Sequence, residues 1–202
     1  MSRLLKIILY TLSVVTTVCG IVLFSSGASD FFKITFGTTV DINTNDTSQY
    51  TKDTMACGTV YYTIDTIANA NDTIYYYLVP TKSEKYLVVA TSNQTQIDTL
   101  NTIALQTYEY LNGELQGTTT NLEVEGRLSD MDGDLQSMLY SWCKSTNYFG
   151  DETTSEISQQ VLPYVLYCQD WQSIKTISIL AIVVIVLGIS GIVTTTIVSK
   201  KS

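Results

Sequence analysis

Residues 73–91 read TIYYYLVPTKSEKYLVVAT. Two apolar runs, Thr73–Val79 and Lys85–Thr91, flank the polar segment Pro80-Thr-Lys-Ser-Glu84. Both are rich in β-branched and aromatic residues, and a short turn-forming link between two such runs predicts a β-hairpin. Neither run alternates with polar residues. That continuity predicts central strands, with helices covering one face of the sheet.

On the C-terminal side, Thr95-Gln96-Ile97-Asp98 has the acidic form of a capping box. Ile97, Leu100, Ala104, Tyr108 and Leu111 follow at helical spacing, and Asn112-Gly113 supplies the stop. Leu122–Leu128 alternates cleanly: Leu122, Val124 and Leu128 face one way, Glu123, Glu125 and Arg127 the other. Ser129-Asp130-Met131-Asp132 caps a second amphipathic helix carrying Leu135, Met138, Leu139, Trp142 and Cys143. Thr153-Thr-Ser-Glu156 opens a third, which Pro163 kinks or ends. Tyr164–Ser173 then approaches the membrane, with Trp171 at the interface level. On the N-terminal side, Gly58–Ile67 reads as a strand and Ala68–Asp72 as a turn. Residues 44–54, TNDTSQYTKDT, read as a loop or linker, and Phe31–Ile42 leaves an extra strand open. The order predicts an α+β domain: an antiparallel sheet of 4–5 strands with 2–3 helices on one face.

The two ends belong to a different environment. Ile7–Ser29 and Thr176–Ser199 carry no charge over 23 and 24 residues, where a bilayer core needs about 20. Their Val, Ile and Thr favour strands in water. In lipid, a lone segment satisfies its backbone only as a helix. The expected layout is a tail at 1–6, a transmembrane helix at 7–29, an α+β domain at 30–173, a second transmembrane helix at 174–199 and a tail at 200–202. Arg3 and Lys6 precede the first span, and Lys200 and Lys201 follow the second. The positive-inside rule therefore places both termini in the cytoplasm and the domain outside the plasma membrane. The first span has a rival reading as a cleaved signal with a small-residue site at Ser26-Gly27-Ala28. The 18 apolar residues of Ile7–Phe24 exceed the usual h-region and favour a retained anchor.

All 19 acidic residues lie between Asp30 and Asp170, against six basic ones, giving the middle domain a net charge of −13. Such a domain repels nucleic acid and anionic headgroups. The chain has no histidine, which removes Ser-His-Asp and Cys-His sites and every His-containing metal site. It has neither GxGxxG nor GxxxxGK[ST]. No cofactor, metal or catalytic residue is therefore expected. Cys19 lies in the first span, which leaves Cys57, Cys143 and Cys168 outside. Cys143 and Cys168 are either a disulfide pair or buried free thiols. Asp130, Asp132 and Asp134 resemble a calcium loop, but Leu135 and Ser141 stand where an EF-hand needs glycine and glutamate. Acid placement at a helix N-terminus is the plainer account. Glu123 and Glu125 on one strand face are ordinary solvent-facing acids. Three sequons, at Asn45, Asn71 and Asn93, are what a Ser/Thr-rich chain gives by chance. The tyrosines are dense, and Tyr61, Tyr75 and Tyr77 are candidates for an aromatic interaction face on the open side of the sheet; core packing and ordinary strand composition are the plainer account.

The segments YYYLVPTKSEKYLVV (75–89), YEYLNGEL (108–115) and LEVEGRLSDMDGDLQSMLYSW (122–142) resemble uncharacterised two-pass membrane proteins of Gram-positive bacteria, which also carry a hydrophobic anchor at each end. The resemblance implies a cell-envelope setting and brings no activity and no site residues. The expectation is a non-enzymatic membrane protein whose acidic domain binds a protein partner or its own copy. The alternative is a sensory or small-ligand domain signalling through the membrane helices, for which Thr16-xxx-Gly20 offers a helix contact.

Overall fold

The computed structural model describes residues 3–70 and 73–200. The tail residues 1–2 and 201–202, and Asn71-Asp72 of the expected turn, lie outside the described residues. The chain forms two compact units: one holds both terminal helices, and the other spans Thr38–Gln169.

The terminal unit contains α1 (Arg3–Phe36) and α5 (Trp171–Lys200). Both are long and apolar enough to cross a membrane, with mean hydropathies of 2.4 and 2.8, and they fit a membrane location. Their Ser and Thr hydroxyls donate to carbonyls one turn back: Ser13 to Leu9 and Thr17 to Ser13 at 2.9 Å, and Thr195 to Gly191 at 2.8 Å. This back-bonding lets hydroxyl residues sit in an apolar helix. The two helices pack through small residues. A Cβ added at Gly20 would lie 3.0 Å from the Ile185 backbone nitrogen, and one at Gly188 2.8 Å from that of Thr17. Gly20 is thus part of the seam. On α1, Ser13 and Thr17 meet the positions of Gly191 and Gly188 on α5.

The Thr38–Gln169 unit is a seven-stranded mixed sheet covered on both faces. Its strands are β1 (Thr39–Asp41), β2 (Met55–Val60), β3 (Thr66–Ala70), β4 (Ile74–Pro80), β5 (Tyr86–Thr91), β6 (Leu122–Asp130) and β7 (Val161–Cys168). They lie in the order β1-β2-β6-β7-β5-β4-β3. The pairs β1/β2 and β5/β7 are parallel and the others antiparallel. The hairpin expected at residues 73–91 is β4–β5, in register from Tyr75↔Thr91 to Pro80↔Tyr86. β6 keeps its alternation, burying Val124, Gly126 and Leu128.

Three helices complete the unit: α2 (Gln94–Leu111), α3 (Gly133–Thr146) and α4 (Thr154–Gln160). Leu100 and Ile103 of α2 pack on one face of the sheet with Tyr77, Val79, Leu87 and Val89. Leu135, Leu139 and Cys143 of α3, with Ile157 of α4, pack on the other face with Tyr76, Leu78, Val88 and Ala90.

The expected antiparallel sheet with helices on one face is therefore corrected in three ways. Among the described residues there are seven strands, two of the pairs are parallel, and the helices are split between the faces. The continuous apolar runs of β4 and β5 are apolar because both of their faces are buried. The segment Gly58–Ile67 is not one strand: β2 ends at Val60, and Tyr61–Asp65 crosses to the far edge, where β3 begins. Tyr164–Ser173 is not a simple approach to the membrane, since residues through Cys168 form a central strand. Pro163 fits there because the β5–β7 register shifts between Tyr86↔Val161 and Val88↔Val165. A bulge needs no ladder donor from proline, and the Pro163 carbonyl accepts from Met131 N–H at 3.0 Å.

Residues 44–54 form no free linker. Tyr50 is buried in the core, and the loop is tied to β6 by Asp53 N–H donating to the Leu128 carbonyl at 2.8 Å. Two helix starts also move. Asn93 rather than Thr95 caps α2, accepting from Gln96 N–H, and Asp132 rather than Ser129 caps α3, accepting from Leu135 N–H at 2.8 Å. Asp134 sits in the first turn of α3, and Asp130 pairs with Lys52 at 3.4 Å. The third start is as read: Thr153 and Glu156 form a complete capping box.

Burial in this sandwich makes alkaline pH a stress. It pushes Tyr50 and Tyr167 up to about 12 and Cys143 up to about 11, with the Asp41 charge adding at Tyr50. The folded state keeps these protons while the unfolded chain releases them near 9 for thiols and 10 for phenols. Stability is then complete below about pH 9 and declines as pH rises toward 11–12. The urea midpoint of the domain should fall between about pH 8 and about pH 10.5; an unchanged midpoint would show that these groups are not buried as described.

Candidate interaction groove

α2 exposes more apolar surface than its spacing suggested. The buried face is Ile97, Leu100, Ile103 and Thr107. Thr107 joins it because its hydroxyl donates to the Ile103 carbonyl at 2.8 Å and accepts from Thr63 N–H at 3.4 Å. The helix therefore turns Leu105 (59% exposed), Tyr108 (64%) and Leu111 (65%) to solvent at three-residue steps. The expected core face through Tyr108 and Leu111 is corrected accordingly.

The last two of these residues form one wall of an open groove of about 380 Å³. Trp142 and Thr146 from the end of α3 and Tyr148 just beyond it form the opposite wall, and Ile64 and Asp65 lie where the chain enters the edge strand β3. Thr107 and Asn112, the C-cap of α2, also line the groove. The groove thus draws on helices from both faces of the sheet and on the crossover between β2 and β3. The crossover is fixed at Thr63, which is fully buried and donates its hydroxyl to the Leu78 carbonyl at 3.0 Å.

The α3 wall is pre-formed. The rings of Trp142 and Tyr148 lie 6.0 Å apart, Tyr148 meets Phe149 edge-on at 5.0 Å, and its hydroxyl is 3.2 Å from that of Tyr86. Burial, with the Tyr86 hydrogen bond adding, pushes the Tyr148 phenol far above its ordinary range, so it stays neutral. Among the described residues Asp65 is the one formally charged member of the lining. It is exposed, and its carboxylate accepts from Thr66 N–H at 2.7 Å.

The tyrosine face expected from sequence does not assemble. Tyr77 is 0% exposed, with its hydroxyl donating to Asn101 Oδ1 at 2.9 Å. Tyr75 is partly buried in the same layer, and only Tyr61 is open, at 49%. The sheet has no open face there, because α2 covers it.

Cys143 and Cys168 do not meet. Cys143 packs in the α3 layer and Cys168 in the α2 layer, so the sheet separates them, and both are free. Burial raises the thiols of Cys57, Cys143 and Cys168, with Asp41, Glu125 and Glu123 adding at Cys57. A reactive cysteine needs the opposite shift. Among the described residues, no group of three His, Cys, Asp or Glu stands where it could hold a metal ion. Sequence reasoning missed Asp65, Trp142 and Tyr148 as groove residues; the signal available was the second apolar stripe of α2 at 105, 108 and 111.

No curated protein and no solved structure matches this chain. Residues 3–200, which take in both membrane-length helices and the sheet between them, match a family described as a domain of unknown function, DUF8577, and the chain belongs to that family.

Proposed function

We propose that this is a two-pass membrane protein of a bacterial cell envelope, with both termini cytoplasmic. Its acidic domain, held outside the membrane, acts as a non-enzymatic protein-interaction module. The orientation rests on Arg3, Lys6, Lys200 and Lys201 flanking the two apolar helices. The absence of histidine and the raised thiols support a binding role over catalysis. The observation that carries the proposal is the exposed Leu105–Tyr108–Leu111 stripe running into an aromatic groove, since contiguous apolar surface of this kind marks an interaction site.

A photo-crosslinking amino acid replacing Tyr108 should give a discrete adduct in native membranes, while the same probe replacing Ser83 in the β4–β5 turn should give none. Absence of any adduct at Tyr108 would sink this reading. The groove's volume also lies in the range of small-ligand sites, so a sensory domain is the second reading. It is favoured if small molecules raise the melting temperature and no protein adduct forms.

A further inference from the structure

We infer that the groove between the ends of α2 and α3 recognises a basic side chain, lysine or arginine, flanked by apolar residues on a partner protein. This deepens the interaction reading of the same groove and rests on it.

Three fixed sources of one sign converge there. The first is the Asp65 carboxylate. The second and third are the C-terminal ends of α2 and α3: Asn112 caps one, and Thr146 is the last residue of the other. A helix C-terminus carries a partial negative charge and favours a cation within its last turn. α2 has no basic residue in its last turn to absorb that charge, whereas α3 carries Lys144 in its own, so the α2 terminus and Asp65 are the two unoffset sources. Among the described residues no basic side chain lines the groove, so no cation there favours phosphate or carboxylate.

The walls suit the same ligand. Trp142, Tyr108 and Tyr148 present aromatic rings, which hold an ammonium or guanidinium group by cation–π attraction. Leu111 and Ile64 offer apolar surface to the aliphatic stem and to flanking residues. At long range, residues 38–169 carry a net −12 that draws cationic partners and repels acidic ones.

The test uses the full chain in zwitterionic detergent micelles carrying Trp171→Phe, which leaves Trp142 as the sole tryptophan. The probes are acetylated, amidated pentapeptides of sequence Ala-Leu-X-Leu-Ala, with X as lysine, glutamine or glutamate. The lysine peptide should shift Trp142 emission saturably, with a Kd in the region of about 1 mM or tighter. The glutamine peptide should bind about fivefold or more weakly, and the glutamate peptide more weakly still. Raising salt from about 50 to about 500 mM should weaken the lysine peptide alone. Asp65→Asn retains an acceptor for Thr66 N–H, so the crossover keeps its hydrogen bond, and should cost the lysine peptide about fivefold.

Equal binding of the glutamine and lysine peptides, or indifference to Asp65→Asn, would overturn the cation assignment while leaving Tyr108 crosslinking to judge the interaction reading. No saturable shift by the lysine peptide up to about 5 mM would overturn it as well.

Discussion

Gly126→Ala should destabilise the domain by about 2–3 kcal/mol, although it adds only one methyl group. Gly126 stands in β6 opposite Ala56 of β2 and Cys168 of β7. A Cβ there would run into the Tyr167 carbonyl oxygen and lie 2.8 Å from its carbon and 3.0 Å from Cys168 Cα. These are backbone atoms of a central strand, so no flexible side chain can yield. Relief requires β6 and β7 to separate, which strains the hydrogen bonds linking the two halves of the sheet. Against a total stability of about 5–15 kcal/mol for a domain, the loss is severe. Gly133→Ala is the matched control. Gly133 is the first residue of α3 with nothing within 4 Å of its added Cβ, and alanine there should be neutral or slightly stabilising. Urea unfolding of the full chain in micelles, followed by circular dichroism, reads both variants. A Gly126→Ala protein with an unchanged midpoint would contradict the close approach of β6 and β7.

Gly188→Ile should open the α1–α5 seam. A Cβ at Gly188 already comes within 2.8 Å of the Thr17 nitrogen and 3.0 Å of the Ser13 carbonyl oxygen, and isoleucine adds two branches at that contact. In lipid, helix pairing depends on close van der Waals approach through small residues. Overpacking one such contact costs about 2 kcal/mol. The readout is disulfide formation between Ser13→Cys and Gly191→Cys in a background lacking the native cysteines. The added Cβ at Gly191 lies 3.1 Å from Ser13 Cβ, so mild oxidation should bridge the pair. Gly188→Ile should cut the bridged fraction about fivefold or more. An undiminished bridge would mean that the helices do not pack through these glycines.

What the sequence disclosed depended on how local the deciding interaction was. The hairpin at 73–91, the alternation of β6, the Thr153–Glu156 box and the two apolar helices are all written within about ten to thirty residues of chain, and each was legible. β7 was not. Its pairing with β5 is parallel and joins residues about 75 positions apart, so no turn signal announces it, and Pro163 argued against a central strand until the bulge explained it. The side of the sheet on which each helix packs was also hidden, because runs such as Leu78–Val79 and Leu87–Ala90 look alike whether one face or two are buried. On α2, Thr107 disguised the true core face: a back-bonded threonine counts as polar in the sequence and packs as apolar in the fold. That substitution moved Tyr108 and Leu111 from expected core to groove wall. Tyr77, expected at an interaction surface, went the other way because α2 supplies a partner for its hydroxyl.

The central place of β7 also bears on when the domain can come into being. β3-β4-β5 and β1-β2-β6 are two three-stranded pieces with no shared edge until β7 lies between them. Among the described residues β7 is the last strand of this sheet in chain order, and α5 follows it. During synthesis from the N-terminus, β5 and β6 therefore wait with unpaired edges while every other part of the sheet has already been made. Such edges invite wrong partners. The nascent polypeptide carries this exposure up to residue 168, and the arrival of eight residues converts two incomplete ribbons into one cooperative body.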